Sequence, residues 1–520
     1  MRCLSRFAMI AVVAGLGCFR PAATARFRDQ PVVERIDDQR PIPEPYERVF
    51  YDTLYKANVL LLRPVVQVLD PPSGGPALDI NALEEVPDSS WFENRIGRRS
   101  VTLDDAARGP DTIGPPEGPF VVTSRKTGGN PGFVITDARG VRYVLKFDTR
   151  ANPEQQTGTN AIVGRLFWLI GYHVPVEHVI HFRRAELQVS AEVRARDGLD
   201  DAAISRMLAS ATRRADGQYR ASASQFIEGI GKGGWITSGV RGDDPNDRVP
   251  HQRRRVLRGL RLFAAWLGHT DLQEDNTLSV YVGPPKKGHL RHYLIDFGEA
   301  FGGHQSEKGQ LQIGWEYAWD YVSQLKALLA FGLWKRAWES QQPTPWPSVG
   351  YFAADHFDPR TWRERFPYLP FQRMDRADAY WAARLIMRFE RPLLEAVVAT
   401  GQFSDPAAAR HLVDTLLARR AKIGAAYLDG VTPLEQIVLH PGELCAVDVS
   451  RAYGIRRTGA LVVNGKAHPI AADGKVCVPL SIAPGYQIVR VHVRHARGST
   501  PALELHCKGG PEPRLLGVVR

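Results

Sequence analysis

Apolar spacing along the chain changes character three times. Residues 26–117 are rich in Pro, Arg and Asp and show little regular periodicity, apart from positions 46–62, which read as a helix entering a Pro-rich turn. Within this stretch Val86-Pro87-Asp88-Ser89-Ser90-Trp91-Phe92 reads as a turn ahead of two large aromatics. Ser90 is placed there to accept a helix-start hydrogen bond, and the aromatics read as an arm packed on the next domain. From position 120 short alternating runs at 120–122, 133–136 and 142–148 predict strands, separated by the Gly/Pro loop 126–132 and by the turn Asp137-Ala138-Arg139-Gly140. Positions 159–170 then carry apolar residues at helical spacing and stop at Gly171. Strand-like runs at 178–182 and 219–227 flank an Ala- and Arg-rich helical insertion around 200–215.

Helical spacing dominates the middle of the chain. Positions 256–267 place Leu257, Leu260, Phe263, Ala264 and Leu267 on one stripe. Trp-rich stretches at 315–319 and 325–338 read as further helical core, 377–389 as an amphipathic helix, and Asp405-Pro406 opens a long helix closed by Gly430. From about 431 short strands recur at 445–449, 460–465, 476–480, 487–493 and 502–507, the pattern of a small β-sandwich.

The candidate chemistry lies between Gly268 and Gly298, in GHTDLQEDNTLSVYVGPPKKGHLRHYLIDFG. Asp271 and Asn276 stand five positions apart, and Asp296-Phe297-Gly298 follows an apolar run. The strands between them predict a hairpin that joins the two loops. Carboxylate and amide oxygens are hard donors suited to Mg²⁺, and a carboxylate can also take a proton from an attacking hydroxyl. Upstream, the order strand, Gly-rich loop, strand, strand puts Lys126, Gly128 and Gly129 at a turn and Lys146 on the third strand. The acids of Arg241-Gly242-Asp243-Asp244-Pro245-Asn246-Asp247 lack an EF-hand pattern and read as a capped loop.

This set of residues resembles the catalytic core of an atypical protein-kinase-like fold, closer to the HipA-like and spore-coat CotH-like branch than to ordinary eukaryotic protein kinases. The resemblance implies an α+β fold with a strand-rich small lobe, a helical large lobe and a C-terminal β-sandwich. It implies ATP and Mg²⁺ (or Mn²⁺) as cofactors, with Lys146, Lys126, Gly128 and Gly129 at the phosphates, Asp271 as the catalytic carboxylate, and Asn276 and Asp296 as metal ligands. His269-Thr270-Asp271 replaces the usual H-R-D, so the arginine that reads an activation-loop phosphate is missing. The helix at 159–170 shows Asn160 where such kinases carry a glutamate for the strand lysine, and the nearest acid is Glu154. Three readings therefore stay open: an exported phosphotransferase on an unknown protein, lipid or cell-wall acceptor, a pseudokinase-type binding or scaffold protein of the cell envelope, and nucleotidyl transfer on the same fold. VPDSSWF, KFD, GYHVP, DDPND and LIDFG further resemble segments of a group of bacterial exported proteins.

Composition sets the compartment and the charge. Arg2 and Arg6 followed by an apolar run over 7–17 read as an export leader. Gly17-Cys18 resembles a lipoprotein box and Ala23-Thr24-Ala25 an ordinary signal-peptidase site. The reading favours a lipid on Cys18 and an extracytoplasmic, membrane-anchored protein. The expected segments are a leader over 1–25, an arm over 26–117, a small lobe over 118–229, a large lobe over 230–430 and a β-domain over 431–520. The net charge of +11 is spread among interleaved acids. Its densest cluster, Arg253-Arg254-Arg255 and Arg258, reads as solvated or internally paired, and no nucleic acid is expected as a partner. Cys445, Cys477 and Cys507 allow one disulfide and an odd thiol in an oxidising compartment.

Overall fold

The computed structural model describes residues 25–64, 75–126, 132–209, 211–303, 312–331 and 333–520. The segment read as an export leader, with Cys18, and the loop residues Gly128 and Gly129 lie outside the described residues. Three large apolar cores form, one on a sheet, one among helices and one between C-terminal sheets, in a mixed α+β chain.

The N-terminal arm is mostly extended. Besides the short helix Leu103–Arg108, its helix α1 (Asp52–Ala57) continues as a π-turn over Asn58–Leu62. It is shorter than the apolar spacing predicts because the Tyr46 N–H donates to Asp243 (2.9 Å) and the Arg48 N–H to the Lys232 carbonyl (3.0 Å), contacts that hold those residues extended. Ser90 caps no helix. Its N–H and hydroxyl both donate to the buried Asp38 (3.0 and 2.7 Å), which locks Trp91 and Phe92 into the helical core.

The first sheet has six strands: β1 (Phe120–Arg125), β2 (Gly132–Thr136), β3 (Arg142–Lys146), β4 (Glu177–Phe182), β5 (Leu187–Val189) and β6 (Tyr219–Gln225), in the order β4-β6-β3-β2-β1-β5. Its pairs are antiparallel except β1 with β5. Alternation along the strands gives it two faces. Phe133, Tyr143, Leu145 and Phe182 form one core with the short helices Ala191–Asp197 and Asp201–Ala209. The other face meets α2 (Gln155–Ile170), which is buried everywhere except Trp168. Asp148, two residues beyond β3, accepts hydrogen bonds from the Thr157 N–H (2.9 Å) and hydroxyl (2.7 Å) and so supplies the start of α2 with a partner from outside the helix.

Beyond β6 the chain crosses to a second sheet, β7 (Ile230–Gly231), β8 (Thr277–Val282) and β9 (His289–Leu294). This sheet lies beside the helical core, built on α3 (Arg255–Leu267). Next come α4 (Tyr321–Leu329), α5 (Arg376–Ile386) and α6 (Pro406–Tyr427). The basic cluster is internally paired: Arg254 with Asp247 (2.6 Å), and Arg255 and Arg258 with Asp378 on α5 (3.0 and 3.3 Å), all buried. Asp247 also meets His251 (2.7 Å), so the acidic turn is spent on internal partners. The stretch 325–338 departs from expectation. Its helix ends at Leu329, positions 333–336 are irregular ahead of a 3-10 turn over Ala337–Ser340, and Leu325, Leu328, Phe331 and Leu333 are exposed rather than core.

The C-terminal strands form two sheets around one core. The first holds β10 (Leu434–His440), β11 (Glu443–Asp448) and β14 (Lys475–Pro479). The second holds β12 (Ala460–Val463), β13 (Lys466–Pro469), β15 (Gly485–His495), β16 (Gly498–Ser499), β17 (Leu503–Gly509) and β18 (Arg514–Val519). Cys445 and Cys477 face each other across β11 and β14 and form a disulfide, while Cys507 is a buried free thiol whose pKa burial raises to about 12. The bridge closes a 32-residue separation. Removing it with Cys445→Ser and Cys477→Ser should destabilise this core by about 3–4 kcal/mol on the chain-entropy scale. Thiol titration of the oxidised, denatured chain from Ala25 onward should find only Cys507 reactive, and three thiols without reductant would refute the pairing.

Candidate active site

The hairpin of β8 and β9 does for the site what the sequence predicts. Thr277 pairs with Leu294, and the Ile295 N–H donates to the Asn276 carbonyl (3.1 Å), so the loop before β8 and the loop after β9 lie side by side. On the first loop the Asn276 amide donates to the Asp271 carboxylate (2.8 Å) and to its carbonyl (2.6 Å). Glu274 fixes the same loop from behind, held by Arg48 (2.5 Å) and by the Thr237 N–H (3.1 Å).

Asp296 opens the second loop with a left-handed backbone (φ 59°), a strained state for a side chain without local compensation. Three contacts hold it. Lys146 on β3 reaches its carboxylate at 2.8 Å, the Phe297 N–H donates to Asn160 on α2 (3.0 Å), and the fully buried Phe297 ring packs on Phe167 with centroids 5.5 Å apart. Burial works to raise the Asp296 carboxyl, but the Lys146 charge and hydrogen bond, with Lys126 and His269 nearby, carry it below its ordinary value. Lys126 thus belongs to the same electrostatic group: burial depresses its ammonium pKa first, and Lys146 adds to that. Gly132 leaves room for this arrangement, since a Cβ there would stand 2.0 Å from the Leu145 carbonyl and 3.1 Å from the Lys126 chain.

The lysine's acidic neighbour comes from an unexpected strand. Glu154 does not serve it: its carboxylate accepts from the Ser404 N–H (2.8 Å) and hydroxyl (3.0 Å) at the surface. Asn160 holds Phe297. Glu177, the first residue of β4, takes the place beside Lys146. Register puts Lys146 opposite Ser222, and Ser224 opposite Glu177, so both charged residues lie on the face that meets α2. Gly164 makes the space, because a Cβ there would meet Glu177 at 3.3 Å and Phe297 at 3.5 Å. Burial raises the Glu177 carboxyl to about 7, with Lys146 pulling the other way. One of its oxygens has no hydrogen-bond partner. Sequence alternation carried a faint signal, a lone acid in the apolar strand EHVIHF.

Asp271 has a second unforeseen neighbour. Arg365 lies 3.7 Å from its carboxylate and 3.4 Å from Glu299, and the Arg365 N–H donates to the Thr270 carbonyl (2.9 Å). Burial raises the Asp271 carboxyl despite that charge, and it raises Glu299 to about 8. Asp275 is raised to about 6, by burial first and by Asp271 second. The cleft therefore gathers more carboxylates than cations, and one Asp271 oxygen is buried with no hydrogen-bond partner. Such a set of hard oxygen donors suits a divalent cation, and Asp296 and Asn276 are the residues that could hold one.

The raised acids predict a pH dependence. Between pH 4.5 and about 7 the folded chain keeps a proton on Glu177 that the unfolded chain has lost, so this contribution is whole below 4.5 and gone above about 7. Without metal, unfolding free energy should fall over that window, by on the order of 3 kcal/mol from Glu177 alone. Denaturant titrations at pH 5 and pH 8 should show a shallower fall in Glu177→Gln. An equal fall in both proteins would remove Glu177 from this role.

No protein-family model matches the chain, and no curated protein matches it. Among solved structures it is similar to the Golgi casein kinase crystallised with Mn/ADP bound, at 12% identity and a TM-score of 0.30, over 62% of this chain and 73% of that one. A second crystal structure of the Golgi casein kinase gives 12% identity and a TM-score of 0.30, over 74% of this chain and 93% of that one.

Proposed function

We propose that the cleft between the six-stranded sheet and the helical core binds a nucleoside triphosphate with a divalent cation and transfers its terminal phosphoryl group to a hydroxyl acceptor. The observation that carries the reading is the 2.8 Å contact of Lys146, from the third strand, with Asp296, at the head of D-F-G, beside the bonded pair Asp271 and Asn276. The strand order around β3 and the helix after it support a two-lobed, kinase-like arrangement, and His269-Thr270-Asp271 in place of H-R-D suits its atypical branches.

The roles follow from the chemistry. Lys146 and Lys126 are the cations available to polyphosphate oxygens. When phosphates draw Lys146 away, Asp296 is released, and Glu177 can balance the lysine from the opposite side. A cation held by Asp296 and Asn276 would neutralise phosphate charge during transfer. Asp271, with its raised carboxyl, is suited to orient the acceptor hydroxyl and take its proton, and Arg365 keeps that carboxylate in place.

A binding-only reading has two observations in its favour: Lys146 is neutralised by Asp296, and Asn160 occupies the helix position where a glutamate would draw the lysine off. The leader motif supports export and a lipid on Cys18, and an extracytoplasmic compartment ordinarily supplies little ATP. The acceptor, whether protein, lipid or cell-wall polymer, and nucleotidyl transfer as the alternative chemistry, are decided by product analysis.

Asp296→Ala should abolish Mg²⁺- or Mn²⁺-dependent nucleotide binding in calorimetry. Asp271→Asn should keep that binding and lower transfer by roughly 10²–10⁴-fold, the usual effect of losing a general base. Nucleotide binding with no transfer to any acceptor or to water would favour the binding protein. No metal-dependent binding by the wild type would end the enzyme reading.

A further inference from the structure

The apolar residues of α4 point away from the protein. Its half-buried positions are Ser323, Ala327 and Ala330, so the helix turns a face of small residues inward. The opposite stripe, Val322, Leu325, Leu328 and Leu329, is 56–72% exposed, and no residue of the helix is buried. Phe331 and Leu333 continue the stripe at 91% and 88% exposure. A surface helix of a soluble protein has the reverse orientation, with its large apolar side chains on the core. The helix start is anchored: Asp320 accepts from the Ser323 N–H (3.0 Å), and the Ala318 N–H ties the preceding turn to the Arg365 carbonyl (2.8 Å).

The stripe does not stand alone. Val59 and Leu60, at the end of the first helix, share a cavity with Trp319, Tyr321 and Val322, and Leu54, Leu61 and Leu62 are themselves more than half exposed. Together the two elements leave leucine, valine, phenylalanine and tryptophan side chains open on neighbouring surface, the kind of exposed apolar patch that marks an interaction site. Charge identifies what covers it. From Tyr321 to Trp338 the chain has Lys326, Lys335 and Arg336 and no Asp or Glu. Lys326 lies 6.0 Å from the Trp334 ring, keeping a cation and an indole together at the rim, while Arg336, 5.7 Å from the same ring, is paired with Glu316 (3.4 Å). Leucine and phenylalanine outward, indole and basic groups at the edge, and an acid-free stretch make up the composition of a segment that lies in a membrane interface.

We propose that this face seats the protein on a lipid bilayer with anionic headgroups. Val322, Leu325, Leu329 and Phe331 enter the acyl boundary, and Lys326 and Lys335 stay among the headgroups. The turn before α4 bonds the Arg365 carbonyl through the Ala318 N–H (2.8 Å), and Arg365 lies 3.7 Å from Asp271, so the same face borders the candidate active site. The docking needs neither nucleotide nor a lipid on the chain.

The test uses the chain from Ala25 onward, which carries every described element, sedimented with vesicles of phosphatidylglycerol and phosphatidylethanolamine or of phosphatidylcholine alone. The wild type should sediment with the anionic vesicles. Leu325→Glu with Leu329→Glu, at exposed positions that leave the melting temperature unchanged, should weaken partition by about tenfold or more. Lys326→Glu with Lys335→Glu should remove the preference for anionic over zwitterionic vesicles. A wild type that stays in solution with anionic vesicles, or a leucine variant that partitions like the wild type, would overturn the proposal. So would a dimer that forms without vesicles and is lost in the leucine variant, because a second copy of the chain would then be the occupant.

Discussion

A buried lysine and a half-buried aspartate, brought together from two cores, hold the loops of the candidate site in register. Lys146 comes from a strand whose neighbours pack on one side into the sheet core, and Asp296 from a hairpin resting on the helical core. A lone charge at the lysine's position would have a large desolvation cost, which the half-exposed aspartate offsets. The left-handed backbone at Asp296, the Phe297 contact with α2 and the glycine at position 164 are adjustments around that pair. Glu177 lies beside the lysine with its carboxyl raised by burial to about 7, and in the proposed exchange it would balance the lysine when a ligand claims the aspartate.

The arginine content obeys a similar logic elsewhere. Arg254, Arg255 and Arg258 pair inward with Asp247 and Asp378, and Arg220 ties the sheet to the 401–402 turn by donating to the Gly401 (2.5 Å) and Gln402 (2.8 Å) carbonyls. Asp148 beside it holds the start of α2. KFD is thus two devices in three residues: a lysine for the cleft, and an aspartate that sets the helix against which the cleft is built. A basic composition can arise from such internal wiring and does not require a polyanionic partner.

Local spacing made the loops of the cleft legible. Asp271, Asn276 and Asp296 could be read because a hairpin converts sequence distance into spatial contact by a fixed ladder. Glu177 was less accessible, since its role depends on strand order across β3, β6 and β4, a long-range property that alternation within one strand does not encode. Arg365 reaches Asp271 from far downstream in the chain, through a loop with no periodicity. The apolar stripe of α4 was misassigned to the core for a related reason. Helical periodicity states that a helix has an apolar face and is silent on which solvent that face meets. The short α1 shows the same limit, with tertiary hydrogen bonds at Tyr46 and Arg48 overriding local propensity.

The central claim is that Lys146 and Asp296 form a site whose pairing is exchanged for a metal and a polyphosphate. The most direct measurement is a crystal structure of the chain from Ala25 onward grown with Mn²⁺ and a non-hydrolysable ATP analogue, recorded at the manganese absorption edge. The account predicts an anomalous peak on the Asp296 carboxylate and Lys146 moved onto phosphate oxygens with Glu177 beside it. A Lys146–Asp296 contact left intact, with no manganese at Asp296 or Asn276, would contradict it.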